Sequence, residues 1–366
     1  MVQVGYYPGC ALEGTAAEYD ESLRAVCQAL DIRLAELEDW NCCGASSAHC
    51  LDEELALQLA ERNLQLATQV GPELLAPCAA CFQRLKTAQK RRPSYEVVIW
   101  HVNEFFAQPG RLAELRRRLQ QPLRGLVGVP YYGCLTQRQP KITDAAQPEW
   151  PTSMDVLMEA IGMEVGCWSY KTDCCGGSLQ IPRPDLVQQL CGRLVWAAQE
   201  AGAECIVTAC PLCQANLDIS QMLGVPVGGP YQLFGSQEGA VSAGANSAKE
   251  TCSSMATEPR SSLWASFGAE SVEETSSANA MGPKGSPSAS ACCNAVEEAS
   301  CSRPAGGGSQ QAICPADRAE PNRKLPVFYI TELMALALGV GQPARWWQRH
   351  LVDVRPLLRE KGFYFP

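Results

Sequence analysis

The chain has 366 residues, 46% of them hydrophobic and 19% charged, the length of one large or two ordinary domains with enough apolar material for a core. Its formal net charge is −9, which argues against nucleic-acid or anionic-membrane binding, since both need clustered Lys and Arg. Twenty cysteines, in a long chain whose start has no basic n-region and no apolar h-region, favour metal binding in the cytoplasm over a secreted disulfide framework. No membrane span is predicted. The most apolar stretch, residues 325–340, is broken by Thr331 and Glu332 and reads as a buried core helix. Three histidines cannot build a His-rich metal centre, and no G-x-G-x-x-G occurs.

In chain order, residues 2–7 read as a strand that runs into Tyr6-Tyr7-Pro8-Gly9-Cys10. A helix over 16–30 and a strand over 32–37 lead to Trp40-Asn41-Cys42-Cys43-Gly44. A helix over 53–67 and a strand over 74–76 lead to Pro77-Cys78-Ala79-Ala80-Cys81, which opens a third helix. The same order then recurs. Strand 126–132 runs into Tyr131-Tyr132-Gly133-Cys134. Helix 153–161 and strand 163–167 precede Thr172-Asp173-Cys174-Cys175-Gly176. Helix 185–201, started by Pro184, and strand 205–208 precede Ala209-Cys210-Pro211-Leu212-Cys213. Cys43 and Cys78 are separated by 34 residues, and so are Cys175 and Cys210. Alternating β and α segments of these lengths predict an α/β fold: two pseudo-symmetric repeats, each a parallel sheet flanked by helices. Ligand sites in such sheets lie at the carboxyl ends of strands. Every repeated cysteine follows a predicted strand, so the cysteines are expected to gather at one rim per repeat.

Composition shifts at about residue 235. Close to half of residues 235–324 is Ser, Ala or Gly, with aromatics only at Trp264 and Phe267. Such a stretch buries too little apolar surface to offset its ordering entropy, so it is predicted to be a disordered insert. Its cysteines (Cys252, Cys292, Cys293, Cys301 and Cys314) lack the repeated pattern and are expected to be incidental. The expected domains are a first repeat over 1–124, a second over 125–234, the insert over 235–324, and a helical closure of the second repeat over 325–366.

Each repeat offers five thiols. Thiolates are the soft ligands that iron–sulfur clusters and zinc select, and a C-x-x-C at a helix start puts two sulfurs on one side at lowered pKa. Gly44 and Gly176 are expected to let the backbone approach a metal closely. Five ligands are one more than a cubane cluster or a structural zinc needs. Zinc in one repeat stays open as the alternative. Core packing with disulfides does not explain a five-cysteine pattern that occurs twice. Cys27, Cys191 and Cys205 read as small hydrophobes, and Cys50 and Cys167, near the motif loops, as core, with a supporting place beside the metal ligands as the alternative. His49 stands six residues after Cys43, where it could donate a proton. Lys171 and Arg138 either steady negative cluster charge or are solvated.

These motifs resemble the Cys-Cys-Gly domain family, and within it the bacterial-type members of the heterodisulfide reductase B-subunit family. The similarity runs through the Tyr6–Ala16 opening, Glu38–Ala45, Cys210–Asn216 and the Thr331–Leu333 and Leu336–Gly339 segments. The resemblance implies two non-cubane [4Fe-4S] clusters. One would be held by Cys10, Cys42, Cys43, Cys78 and Cys81, the other by Cys134, Cys174, Cys175, Cys210 and Cys213. It also implies a disulfide oxidoreductase component that reduces a disulfide to two thiols, or runs in reverse. No ferredoxin-type cysteine run occurs in the chain, so electrons are expected from partners: the iron–sulfur C subunit and the flavin-bearing A subunit of such complexes. The rival expectation is a non-catalytic electron-transfer or anchoring subunit of a succinate- or lactate-oxidising type of complex. Either way the chain is expected in the cytoplasm, free or within a membrane-associated complex.

Overall fold

A computed structural model describes residues 2–45, 48–224 and 323–363. The predicted insert lies almost wholly outside the described residues, as do its five cysteines.

The first repeat is a four-stranded parallel sheet of β1 (Val2–Tyr6), β2 (Ile32–Glu36), β3 (Glu73–Leu75) and β4 (Val98–Trp100), in the order β2-β1-β3-β4. The second contains β5 (Val127–Tyr131), β6 (Glu164–Val165), β7 (Cys205–Thr208) and β8 (Val327–Tyr329), in the order β6-β5-β7-β8. Both sheets are wholly parallel, and equivalent strands hold equivalent places. The α/β reading with two flanked parallel sheets is therefore correct. Six of the eight strands match predicted ones. The sequence pattern does not show β4 and β8: neither runs into a cysteine motif, the signal that marks strands as short as β3 and β6. β8 also corrects the expectation of a purely helical segment after the insert.

The helices start where local chemistry allows. The Asp52 carboxylate accepts from the backbone N–H of Glu54 at 2.8 Å and of Leu55 at 3.1 Å, and so caps helix Glu53–Val70. Pro184 and Pro211 occupy the first turns of helices Pro184–Glu200 and Pro211–Met222, where a missing N–H costs nothing. Helix Ala17–Ala29 buries Tyr19, Leu23, Val26 and Cys27 along one stripe.

The repeats exchange their closing helices. After β8, helix Ile330–Leu338 lies against helix Ala17–Ala29 of the first repeat. Ser22 and Thr331 share a hydroxyl hydrogen bond of 2.7 Å, and the Tyr19 and Tyr329 rings stack at 4.3 Å. After β4, helix Val102–Phe106 lies against helix Ser153–Ala160 of the second repeat, where the Ser153 hydroxyl donates to Glu104 at 3.2 Å. One hydrophobic core consequently runs through both repeats, beside a smaller one that lies mostly in the second, and the carboxyl ends of β1, β3, β5 and β7 are brought together.

Candidate metal centre

The cysteine-bearing turns follow directly from these strands. Cys10 lies four residues after β1 and Cys134 three after β5. Cys78 and Cys210 are the N-cap residues of helices Ala79–Arg91 and Pro211–Met222, with Cys81 and Cys213 in the first turns. The two C-x-x-C turns meet at Tyr19, whose hydroxyl lies 3.3 Å from the Pro77 carbonyl and 3.0 Å from the Ala209 carbonyl. His101 Nε2 is 3.1 Å from the same Ala209 oxygen.

All ten repeated cysteines line one cavity of about 300 Å³. The expectation of a separate rim for each repeat is thereby corrected: the exchanged helices turn the two rims toward each other. Within each half the sulfurs crowd. Cys43 and Cys81 sulfurs are 3.3 Å apart, and Cys175 and Cys213 sulfurs 3.6 Å. The Gly44 and Gly176 amides donate to the Cys42 and Cys174 sulfurs at 3.4 and 3.3 Å. Crowded thiols share protons, so neighbours are driven apart in pKa. Hydrogen bonds from Cys42 and Cys81 hold Cys43 down to about 3. A bond from Cys134 holds Cys174 at about 6. Cys42 and Cys134 are pushed up in return. Ready thiolates beside sulfurs that give up protons on metal binding form a soft donor set. Among the described residues no three His, Cys, Asp or Glu side chains converge as they would on a single ion. The sulfurs surround a space instead.

Several supporting residues carry no mark in the sequence motifs taken singly. Tyr7 and Tyr131, each three residues before the first cysteine of its repeat, donate at 2.8 Å to the carbonyls of Asn41 and Asp173, just before the paired cysteines. A Cβ on Gly9 would lie 2.8 Å from the Cys81 sulfur, and one on Gly133 3.0 Å from the Cys213 sulfur; both glycines have φ +70°. At these two glycines a side chain would collide with sulfur, whereas at Gly44 and Gly176 it is the backbone amide that reaches sulfur. A Cβ on Gly44 or Gly176 would instead strike Ala48 or Val187 of the following helical segment. The Tyr-x-x-Cys spacing, present in both repeats, is the signal that could have found them.

The remaining sequence candidates separate clearly. Cys27, Cys191 and Cys205 are buried and do not line the cavity, although the Cys191 thiol donates to the Cys175 carbonyl at 3.4 Å, and burial pushes each thiol up. Cys50 and Cys167 are exposed, which corrects their reading as core. His49 lines the cavity. Lys171 is neither solvated nor at the cavity: it pairs with Asp155 in the interior and lies 4.4 Å from the Trp150 ring centre. Arg138 bonds the Thr172 carbonyl and Asp173.

A family model for the cysteine-rich domain, CCG, matches residues 4–86 and 129–218, one match to each set of five cysteines. A relative from Wolinella succinogenes, named 8-methylmenaquinol:fumarate reductase membrane anchor subunit, is 30% identical over 235 residues. That alignment covers 60% of this chain and 83% of the relative. The chain belongs to the cysteine-rich CCG domain family. Further CCG relatives are the B subunit of the ferredoxin/F(420)H(2)-dependent CoB-CoM heterodisulfide reductase of Methanosarcina acetivorans and a protein of Archaeoglobus profundus named as like the heterodisulfide reductase B subunit. The first is 24% identical, covering 61% of this chain and 81% of the relative. The second is 25% identical, covering 60% and 82%. No described helix of this CCG protein is long and apolar enough to cross a membrane.

Proposed function

We propose that this CCG protein is the iron–sulfur catalytic subunit of a heterodisulfide reductase-like complex, which reduces a disulfide to two thiols or runs in reverse. The observation that carries the reading is the gathering of both five-cysteine sets around one cavity. Cys10, Cys42, Cys43, Cys78 and Cys81 are assigned to one four-iron cluster. Cys134, Cys174, Cys175, Cys210 and Cys213 are assigned to the other. When bound, such clusters supply single electrons and metal sites that accept a thiolate. The chain's own residues do the rest. Each five-cysteine set forms one wall, so a disulfide between the walls presents one sulfur to each. Leu135 and Leu212 line the cavity and keep part of it apolar. Electrons come from an iron–sulfur partner and, behind it, a flavin-bearing partner, the C and A subunits of such a complex. Five sulfurs on each wall, one more than a structural zinc takes, support clusters over zinc.

A second reading, a non-catalytic electron-transfer or anchoring role, is favoured by the 30% identity to a protein named as a membrane anchor subunit. One experiment separates the readings. Protein purified without oxygen should carry about eight irons, from two four-iron clusters, and should oxidise reduced methyl viologen when given a disulfide. Full iron with no disulfide-dependent oxidation favours the anchoring role. Zinc with negligible iron rejects both cluster assignments.

A further inference from the structure

The cavity is symmetric in sulfur and asymmetric in charge. Among the described residues that line it, Arg84 is the one charged side chain besides the thiols. Arg84 stands in the first-repeat helix Ala79–Arg91, three residues after Cys81, and is only partly exposed. Among the described residues it has neither an ion-pair nor a hydrogen-bond partner, though its charge helps to lower the nearby Cys43 thiol. Other arginines at comparable depth are tied up: Arg111 with Glu73 and Arg193 with Asp173. The equivalent position in the second repeat, three residues after Cys213, is Asn216. Its amide is committed to structure, donating to the Gly177 carbonyl at 2.9 Å and the Cys175 carbonyl at 3.3 Å. His49 reinforces the asymmetry. It lines the cavity, and its Nδ1 is buried with no hydrogen-bond partner among the described residues. The matching position, Ile181, is apolar, exposed and outside the cavity lining.

A guanidinium serving only to neutralise two equivalent sulfur-bound clusters would be needed on both sides. A cation on one side, with no carboxylate or hydrogen-bond partner among the described residues, fits a ligand whose two ends differ. We propose that Arg84 is a specificity residue that binds an acid group (carboxylate, sulfonate or phosphate) on one half of an unsymmetrical disulfide, and seats that half against the first-repeat wall. A guanidinium presents paired donors that match such oxyanions, and a partly desolvated site strengthens the contact. The unpartnered His49 Nδ1 offers a further polar contact to the same half. This inference rests on the disulfide reading above for its substrate class, but the anion site is testable without turnover.

The test uses full-length, iron-loaded protein and two probes: the mixed disulfide of 3-mercaptopropionate with ethanethiol, and its neutral methyl ester. Each turnover consumes two reduced methyl viologens and two protons and yields two thiols. A charge-assisted contact predicts a wild-type preference for the acid of roughly tenfold to a hundredfold in kcat/KM, carried mainly by KM. Arg84→Gln should collapse the acid-to-ester ratio to near one, and Arg84→Lys should restore part of it. An unchanged ratio in Arg84→Gln overturns the assignment. So does loss of iron or an altered cluster potential with the ratio retained, which would make Arg84 a cluster-compensating charge. Calorimetric titration with 3-mercaptopropionate and its ester covers the case in which wild-type protein reduces neither disulfide. Tighter binding of the acid, lost in Arg84→Gln, then supports the anion site while the disulfide reading fails. Equal binding of acid and ester rejects the site.

Discussion

In the first repeat, the loop carrying Cys42 and Cys43 is secured through a neutral residue, Asn41, whose Oδ1 accepts from Arg62 at 2.9 Å and whose backbone is held by Asn63. Asn63 accepts from the Asn41 amide at 3.0 Å and donates to the Asn41 carbonyl at 2.8 Å. In the second, the loop carrying Cys174 and Cys175 is secured by charge. Arg138 and Arg193 both bond Asp173, at 3.2 and 2.9 Å. What the halves share is smaller: the tyrosine three residues before the first cysteine, the glycine next to it, and the five sulfurs. That shared set is sufficient to shape the cradle. The flanking charges are free to diverge, and they diverge in ways that reach the cavity, with Arg84 and His49 on one side only.

The largest expected effect comes from removing one sulfur from one half. Cys42→Ala and Cys174→Ala should each abolish disulfide reduction, because both walls must hold a sulfur-binding centre. Each variant should keep the other half's iron, about four of eight. Iron quantitation with activity on the same samples decides. Loss of all iron from either variant would mean that the ten cysteines hold one shared assembly, and the comparison between halves would lose its meaning.

A smaller effect contrasts the two exchanged helices. Each carries a glutamate in its first turn: Glu104 beside His101, and Glu332 beside His350. Burial alone would raise the Glu104 carboxyl, but the His101 ring, whose Nδ1 lies 3.6 Å away, outweighs it with help from the Ser153 hydroxyl and holds Glu104 low. Burial alone would lower His350, but the Glu332 carboxylate at 2.9 Å outweighs it, with help from Asp218 and Glu18, and raises His350 to about 9. A raised histidine pKa contributes stability that is complete below its unfolded value of about 6.5 and disappears as pH rises through 9. The contribution is on the order of 3 kcal/mol from the size of the shift. Denaturant unfolding of wild type should therefore lose stability between pH 6.5 and 9 relative to His350→Gln. Parallel curves for the two proteins across that window would show that the pair is neutral in the fold.

Much of this architecture is readable in the sequence because two signals repeat. The cysteine spacings recur, and so does the strand-then-helix order around them, so each half checks the other. β7 is placed to the residue, at Cys205–Thr208, because its run is apolar and ends at a motif. β4 and β8 escape because no cysteine motif follows them, as one follows the equally short β3; their identity comes from pairing with β3 and β7. The merging of two rims into one cavity is also hidden. It depends on helices that cross between repeats, and periodicity along one segment carries no information about which partner its buried face meets. Arg84 goes unnoticed for a related reason. On a helix rich in Lys and Arg, one more arginine reads as solvated until the fold shows that it faces the sulfurs.

The smallest expected effect tests whether anything beyond the two halves shapes the cradle. Residues 235–322 separate β7 and its helix Pro211–Met222 from β8, yet the described residues on either side are held together. The Leu325 amide donates to Gln221 Oε1 at 2.7 Å, and Gln221 Nε2 donates back to the Leu325 carbonyl at 3.0 Å. Lys324 also reaches the Met222 sulfur at 3.3 Å. A chain whose exit and re-entry points are already clamped loses little when the intervening length is shortened, since closure entropy varies only with the logarithm of loop length. Replacing residues 235–322 with a short Gly/Ser joint should leave iron content unchanged and raise stability by only about 1 to 2 kcal/mol. Iron per chain and the denaturant midpoint are the readouts. A fall of iron by half would show that one of Cys252, Cys292, Cys293, Cys301 or Cys314 is a ligand, and one of the two five-cysteine sets would need to be redrawn. Retained iron with failed electron delivery from a partner complex would instead make the insert a docking element, adding a third asymmetry to a cradle built from two like halves.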